Sequence, residues 1–271
     1  MKILNSIVLC SLLLLNTCYG QDTSSVKKTN HSGYIFVSAG MGIPLGSFCS
    51  YEGPNPRTIY GALDNFNLAG EARTGFSLQA GAGYMFNKNI GVATHFYTSS
   101  FKVAEKTFEE LFGNNFLFNT SFEENYVSEL WNAKGVIIGP NAQLPLGKVT
   151  LGLRIMGGIQ VGRSPEVRVS FTRTDDSGYY YYEEINQPQL TNTAFVFNEG
   201  VDVKIKVIKN FNILFSTDYL TGKHTYNDTL SFTFIEQYAG SDYTRSETKD
   251  FNYSKRFSFL SITTGLLFSF Q

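Results

Sequence analysis

Residues 74–101, TGFSLQAGAGYMFNKNIGVATHFYTSSF, decide the fold of this chain. Two runs of alternating residues flank the polar turn 87–89, and their even positions are mostly apolar whereas their odd positions are small or polar. Successive side chains of a β-strand point to opposite faces, so this stretch predicts a hairpin with one apolar face. An outer wall in contact with lipid around a narrow polar interior produces that pattern. We therefore interpret the hairpin as the repeating unit of a transmembrane β-barrel.

The composition favours an all-β chain whose outer surface need not be soluble in water. Of the 271 residues, 15% are aromatic and only 17% are charged, and 25 are glycines. High aromatic and glycine content with few charges is typical of such a chain. The formal net charge is −1, whereas a nucleic-acid-binding surface is strongly basic. We therefore expect no nucleic-acid partner.

The first twenty residues have the pattern of a secretory signal peptide and are not part of the predicted fold. A basic residue precedes an apolar run over 7–15, and a small-residue cleavage site ends at Gly20. The run is too short to span a bilayer as a helix, which takes about 20 apolar residues. We predict export with cleavage near Gly20, a polar periplasmic leader over 21–32 and a barrel over 33–271.

The rest of the chain repeats the alternating pattern and predicts eight strands. They cover residues 33–44, 74–86, 90–101, 130–144, 149–161, 193–207, 211–219 and a last strand through Leu260 to Phe270. The first strand has apolar residues on both parities, so its facing is left open. Glu199 interrupts the apolar set of the sixth strand, which indicates a bulge or a position above the lipid.

The predicted connections differ in length in a regular way. Three turns hold three or four residues, and they alternate with four segments of roughly thirty, which is the asymmetry of periplasmic turns and extracellular loops. The segment 162–192 predicts a hairpin above the membrane, and its entry into the wall would make ten strands instead of eight. The acidic segment 102–129 permits a short surface helix around Phe108 and Leu111.

Together these features resemble the small outer-membrane β-barrels of the OmpA/OmpX type, over residues 33–271. The resemblance implies an antiparallel up-and-down transmembrane β-barrel in the outer membrane of a Gram-negative cell. It also implies a monomer whose partners are outer-membrane lipids, lipopolysaccharide and the barrel-assembly machinery. In this family the machinery reads a C-terminal aromatic residue, and Phe270, with Phe268 on the same parity, matches that signal, although Gln271 follows it.

Several ionisable or polar side chains fall on the inward parity near mid-strand. This predicted barrel-interior polar cluster consists of Gln79, His95, Arg154, Asp202, Lys204 and Asp218. Isolated charges at that depth are costly, whereas paired charges facing a barrel interior are tolerated. The cluster is either a salt-bridged plug or the lining of a gated ion path. We favour the plug, because an eight-stranded barrel has room inside for little more than side chains.

The sequence offers no convincing catalytic or metal site. The family-like lipid A deacylases pair a His with a Ser two residues on, but Tyr97 holds that position after His95. His224 lies near Asp218 and Asp228 as a weak acid–base candidate, and we interpret it as a solvated rim residue. Three scattered histidines and the lone mature Cys49 do not make a metal site. We therefore expect no cofactor and no enzymatic activity.

These observations predict a structural or surface-interaction role exercised through the long loops. An extracellular protein or glycan is the expected kind of partner. A small channel for ions or solutes is the first alternative, and a lipid-modifying outer-membrane enzyme is the second.

Overall fold

The computed structural model describes residues 32–49, 72–103, 121–174, 180–238 and 241–270. The predicted signal peptide, the leader up to residue 31 and the possible helix near Phe108 lie outside these ranges. No helix within them is long and apolar enough to cross a membrane. A single 3-10 turn, Gly46–Phe48, accompanies the strands in this part of the chain. The strands are β1 (Ser32–Pro44), β2 (Gly75–Met85), β3 (Ile90–Phe101), β4 (Ser121–Ser128), β5 (Trp131–Leu146), β6 (Val149–Arg163), β7 (Val167–Thr174), β8 (Tyr180–Gln187), β9 (Thr191–Lys206), β10 (Phe211–Tyr238) and β11 (Ser241–Phe270).

Eight of these strands form a closed antiparallel barrel. The order around the wall is β1, β2, β3, β5, β6, β9, β10 and β11, and β11 returns to pair with β1. At this seam Gly33 lies opposite Phe270 and Pro44 lies opposite Phe259. Closure leaves the wall without a free strand edge, as a membrane-spanning sheet requires. The predicted eight-stranded up-and-down barrel is confirmed.

Strands β10 and β11 continue past the wall as one long hairpin. β10 pairs with β9 as far as Gly222 opposite Val196, and beyond that point it pairs with β8 from Ser231 to Gln237. β8 in turn pairs with β7, and β7 with β4. We call this five-stranded extension, in the order β11, β10, β8, β7 and β4, the loop sheet. Its hairpin of β7 and β8 pairs outside the wall, which therefore keeps eight strands.

β10 and β11 are longer than predicted, because the sequence analysis ended the seventh strand at residue 219, began the eighth at Leu260 and assigned the residues between them to a long connection. The two strands stay in register without interruption from Phe211 opposite Phe268 to Tyr238 opposite Ser241. Polar sequence does not end a strand by itself, because each backbone group gains a hydrogen-bond partner as the pairing continues. The hydrophobic pattern ends near the membrane surface, whereas the backbone ladder does not.

The outward face of the wall is a belt of large apolar side chains. Its most exposed members include Phe76, Phe96, Ile138, Ile159, Phe195 and Leu266, and Phe195 is 71% exposed. A continuous apolar surface of this kind on a protein in water would cause aggregation, and in a bilayer it meets the hydrocarbon. The even positions of the β2–β3 hairpin face outward as predicted.

Two positions left open by the sequence are settled by the fold. In β1, Tyr34 and Phe36 are buried in the lumen, whereas Ile35 and Val37 are about half exposed on the wall. Glu199 does not lie in a bulge. It pairs in unbroken register with Ile155 and Tyr219 on its two neighbouring strands. It therefore shares the outward face of β9 with Phe195 and Phe197, and the interpretation as a bulge is wrong.

The two ends of the barrel differ in their connections. Three tight turns, at residues 86–89, 147–148 and 207–210, lie at the end that we call the turn end. The turn between β5 and β6 needs Gly147, whose φ of +68° is costly for any residue with a Cβ. The opposite end, from which the loop sheet extends, is the loop end.

The seam predicts a specific role for the last aromatic side chain. Phe270 is 47% exposed on the lipid-facing wall and pairs with Gly33. We expect Phe270→Ala to reduce the yield of folded protein severalfold in cells, and deletion of Gln271 to leave that yield nearly unchanged. Heat-modified migration on a detergent gel measures the folded fraction. Phe211→Ala is the matched control, because Phe211 is a similarly exposed aromatic at the same end that is not C-terminal. Equal losses in the two Phe variants would show that aromatic anchoring, rather than an assembly signal, explains the effect.

Candidate functional site: the filled lumen

The centre of the lumen is occupied by the Arg154 side chain and two carboxylates. Arg154 Nη1 donates to Asp202 Oδ2 at 2.9 Å, while Nε and Nη2 donate to Asp218 Oδ1 at 3.0 and 2.7 Å. Nη2 also donates to the second oxygen of Asp218 at 2.8 Å and to the hydroxyl of Ser216. All three charged side chains are almost fully buried. A planar guanidinium with two carboxylates forms charge-assisted hydrogen bonds, which are stronger than those between neutral groups.

Strand register brings these groups together. Arg154 on β6 pairs with Gly200 on β9, and Gly200 pairs with Asp218 on β10. The guanidinium therefore crosses over Gly200 to reach a carboxylate two strands away. A Cβ at residue 200 would lie 2.3 Å from Asp218 Oδ1 and 2.6 Å from Arg154 Nε. Only glycine leaves room for this ion pair.

Lys204 balances the charge of the cluster. Its Nζ lies 3.4 Å from Asp202 Oδ1 and 4.6 Å from the centre of the Tyr34 ring. The ring face supplies a cation–π contact, and Tyr34 also accepts a hydrogen bond from Asn141 at 2.6 Å. Two cations and two carboxylates thus compensate one another. Mutual neutralisation is the condition under which buried charges are tolerated.

Gln79 extends the network to the other side of the barrel. From β2 its amide donates to Asp218 Oδ2 at 3.2 Å and to Ser261 Oγ at 3.1 Å. Ser261 donates onward to Ser77 at 2.8 Å, and the Ser77 and Ser99 hydroxyls are 3.0 Å apart. The chain of hydrogen bonds therefore joins β2, β3, β6, β9, β10 and β11 across the lumen.

His95 is the sixth residue of the predicted cluster and has a different environment. It is buried in the lumen, where its ring contacts Phe36 edge to face with 4.7 Å between ring centres. The structure therefore joins five predicted residues through ion pairs and hydrogen bonds and places His95 beside an aromatic ring.

A second layer, which the sequence analysis missed, fills the lumen at the loop end. We call it the aromatic layer, and it consists of Phe48, Phe101, Trp131, Phe257 and Phe259, all buried. Phe48 comes from the 3-10 turn after β1, and its ring centre lies 4.6 to 5.7 Å from those of Phe101, Trp131 and Phe257. Aromatic pairs at such separations stabilise a core beyond their buried area. The sequence contains a signal for this layer, because four of its aromatic residues fall on the inward parity of their strands: Phe101, Trp131, Phe257 and Phe259.

His224 corrects the interpretation of a solvated rim residue. It is fully buried, with its ring stacked near Tyr226 and tilted against Phe257 at 4.7 Å. Six residues along β10 separate it from Asp218, about 20 Å in an extended strand, so the two do not form an acid–base pair.

The described residues contain no group of three or more His, Cys, Asp or Glu side chains arranged to hold a metal ion. Cys49 is exposed and its thiol donates to the Gly46 carbonyl at 3.3 Å.

The lumen and wall together have the polarity of a membrane barrel, with an apolar outside and a polar centre. The fold is that of the small eight-stranded outer-membrane β-barrels. No protein-family model matches the chain, and no curated protein matches it.

The solved structures that match this chain include those of three outer-membrane proteins. A major outer membrane protein from Thermus thermophilus has 11% identity and a TM-score of 0.37, with 89% of this chain and 100% of that chain covered. Ail, the attachment invasion locus protein of Yersinia pestis, has 12% identity and a TM-score of 0.34, with coverage of 89% and 97%. The outer membrane protein AlkL has 13% identity and a TM-score of 0.30, with coverage of 93% and 95%. At these values the likeness concerns the fold alone.

The ion pairs of Arg154 predict that removing its side chain destabilises the barrel by a measurable amount. We expect Arg154→Met to lower the free energy of unfolding by about 3 to 5 kcal/mol, because it leaves the buried carboxylates of Asp218 and Asp202 with Lys204 as the remaining cation of the network. The double variant Arg154→Met/Asp218→Asn should recover part of that loss. Urea unfolding of the barrel in lipid vesicles measures both. A loss of stability in the double variant equal to or larger than the sum of the losses in Arg154→Met and Asp218→Asn would contradict the pairing.

Proposed function

We propose that this protein is a monomeric outer-membrane β-barrel that does not conduct and that acts through the loop sheet outside the membrane. The observation that carries the proposal is the filled lumen. The ion-pair network of Arg154, Asp202 and Asp218 crosses the middle of the barrel, and the aromatic layer crosses it again at the loop end. Solutes would have to displace both layers to pass.

The two layers resist displacement for different reasons. Opening the ionic layer would separate Arg154 from its two carboxylates and leave buried charges without partners. Opening the aromatic layer would move Phe48 out of contact with three rings and expose them to water. Opening a conducting path would require the free energy of both disruptions at once. The barrel is therefore better suited to hold a surface structure in place than to transport.

The loop sheet has the composition of a surface that meets water and partners. Arg168 on β7 is half exposed and lies 3.4 Å from Glu166 and 3.8 Å from Glu184. Tyr182 on β8 donates to Glu184 at 2.8 Å, and this hydrogen bond raises the pKa of the Tyr182 hydroxyl. Exposed pairs of this kind add little stability. We infer that the sheet serves recognition of an extracellular protein or glycan, and we assign no catalysis to the barrel.

Single-channel recording tests the closed lumen. Purified protein in planar bilayers should give no steady open-channel conductance, and Arg154→Met should still be closed by the aromatic layer. The triple variant Arg154→Met/Phe48→Ala/Trp131→Ala disrupts both layers. Of the variants named here, its folded form should conduct ions most readily. Reproducible conductance steps from the unmodified protein, altered by Arg154→Met, would favour the small-channel alternative.

The orientation of the loop sheet is tested by labelling intact cells. In a Cys49→Ser background, a membrane-impermeant maleimide should label Arg168→Cys on whole cells, and it should label Lys209→Cys only after the outer membrane is opened. Arg168 lies in the loop sheet and Lys209 in a tight turn at the turn end. Labelling of Lys209→Cys on whole cells without labelling of Arg168→Cys would reverse the orientation. Recovery of the protein in the soluble periplasmic fraction would overturn the membrane location.

A further inference from the structure

One face of the loop sheet is rich in hydroxyl groups. Alternate residues of β7, β8, β10 and β11 that pair with one another across the sheet share this face. Six of them are serine or threonine, and all six are at least partly exposed: Ser170, Ser231, Thr233, Thr244, Ser246 and Thr248. Each hydroxyl donates one hydrogen bond and accepts up to two, so this hydroxyl face offers both kinds of group across four strands.

β8 adds an aromatic ring and two further polar groups to the hydroxyl face. Tyr182, Glu184 and Asn186 follow one another at alternate positions of this strand, and all three are partly exposed. The Tyr182 hydroxyl donates to Glu184 Oε2 at 2.8 Å, two residues further along the same strand. The phenol ring therefore leans along the strand, and its flat side forms part of the exposed surface.

The charges of the hydroxyl face argue against an anionic ligand. Arg168 Nη2 lies 3.4 Å from Glu166 Oε1, and Arg168 Nε lies 3.8 Å from Glu184 Oε1. One cation thus faces two carboxylates among the described side chains. Recognition of sulfate or phosphate groups uses cations that are free to form charge-assisted hydrogen bonds with them. The face therefore favours an uncharged ligand.

The size and polarity of the hydroxyl face argue against a protein partner on it. Four neighbouring strands span about 14 Å, and the four residue steps from Tyr182 to Asn186 span about 14 Å along β8, which gives about 200 Å². Each partner of a stable protein complex buries about 800 Å². The centre of such an interface is apolar and poor in serine. Of the described side chains on this face, Ile235 alone is aliphatic.

We propose that the hydroxyl face binds an uncharged oligosaccharide. One sugar ring packs its apolar side on the Tyr182 ring, as aromatic side chains do with flat apolar groups. Its hydroxyl groups donate to Glu184 and exchange hydrogen bonds with Asn186 and the neighbouring serine and threonine side chains, which both donate and accept. The inference rests on the proposed function, which assigns recognition of a protein or glycan to the loop sheet, and it names the ligand class and the binding residues.

Binding to a glycan array tests the ligand class. Hydrogen bonds to a sugar replace hydrogen bonds to water, so a single site binds weakly and many copies should be presented together. Lipid vesicles that carry the unmodified protein are applied to neutral oligosaccharides of hexoses and N-acetylhexosamines, with heparin fragments as the anionic arm. We expect a subset of the neutral oligosaccharides to bind and the heparin fragments to give no signal above protein-free vesicles.

Substitution of Tyr182 tests the site. The neutral oligosaccharide with the highest array signal is titrated against folded protein in detergent. Tyr182→Ala should weaken binding about tenfold or more, because the aromatic contact is lost, and Tyr182→Phe, which keeps the ring, should stay within about threefold. Tyr243→Ala is the matched control, since Tyr243 is 58% exposed on β11 of the same sheet and lies next to Thr244, on the opposite face. It should change the affinity less than about twofold.

Three outcomes would overturn the assignment. Silence of every neutral oligosaccharide on the array would remove the ligand class, and preferred binding of heparin would show attraction to anions instead. Equal losses in Tyr182→Ala and Tyr243→Ala would place the contact outside the hydroxyl face. Whole-cell labelling of Arg168→Cys and single-channel recording report the exposed loop sheet and the closed lumen independently. If both hold while glycan binding is absent, the glycan assignment fails and the proposed function stands with a protein partner.

Discussion

The ion pairs of Arg154 are the interaction on which the rest of the barrel depends. A wall of eight strands encloses a space that holds side chains and little else. A guanidinium placed there must meet its counter-charges within that space, and it does so by reaching over Gly200 to Asp218 and along the wall to Asp202. The register of β6, β9 and β10 therefore brings both carboxylates within reach of the guanidinium. Glycine at residue 200 leaves the space that the Arg154 side chain needs to reach Asp218.

The polarity of the lumen changes along the barrel axis. The ionic network fills the middle, and the aromatic layer fills the loop end, where Phe48 enters from the turn after β1. Charges in the middle gain from exclusion of water, because their mutual attraction strengthens as the local dielectric constant falls. Aromatic rings at the loop end provide that exclusion. The two layers support each other, although they are made of opposite kinds of side chain.

The filled lumen is the reason why we propose a function at the outside of the molecule. The loop sheet is the surface through which we propose that the protein contacts other molecules. This sheet continues from the wall through β10 and β11, which run from the turn end into the loop sheet without a break in register.

The sequence by itself determined the barrel, because the alternation of apolar and small polar residues is a local property of each strand and is read in steps of two. It also determined which ionisable residues face the lumen, since parity places Arg154, Asp202 and Asp218 on one side. Only the tertiary structure decided that one arginine binds both carboxylates, because the partners come together through a closed register across three strands. The same holds for the aromatic layer, for the burial of His224 and for the continuation of β10 and β11, where a backbone ladder runs through polar sequence. These features depend on which strands become neighbours when the wall closes, and no single segment of the chain contains that information.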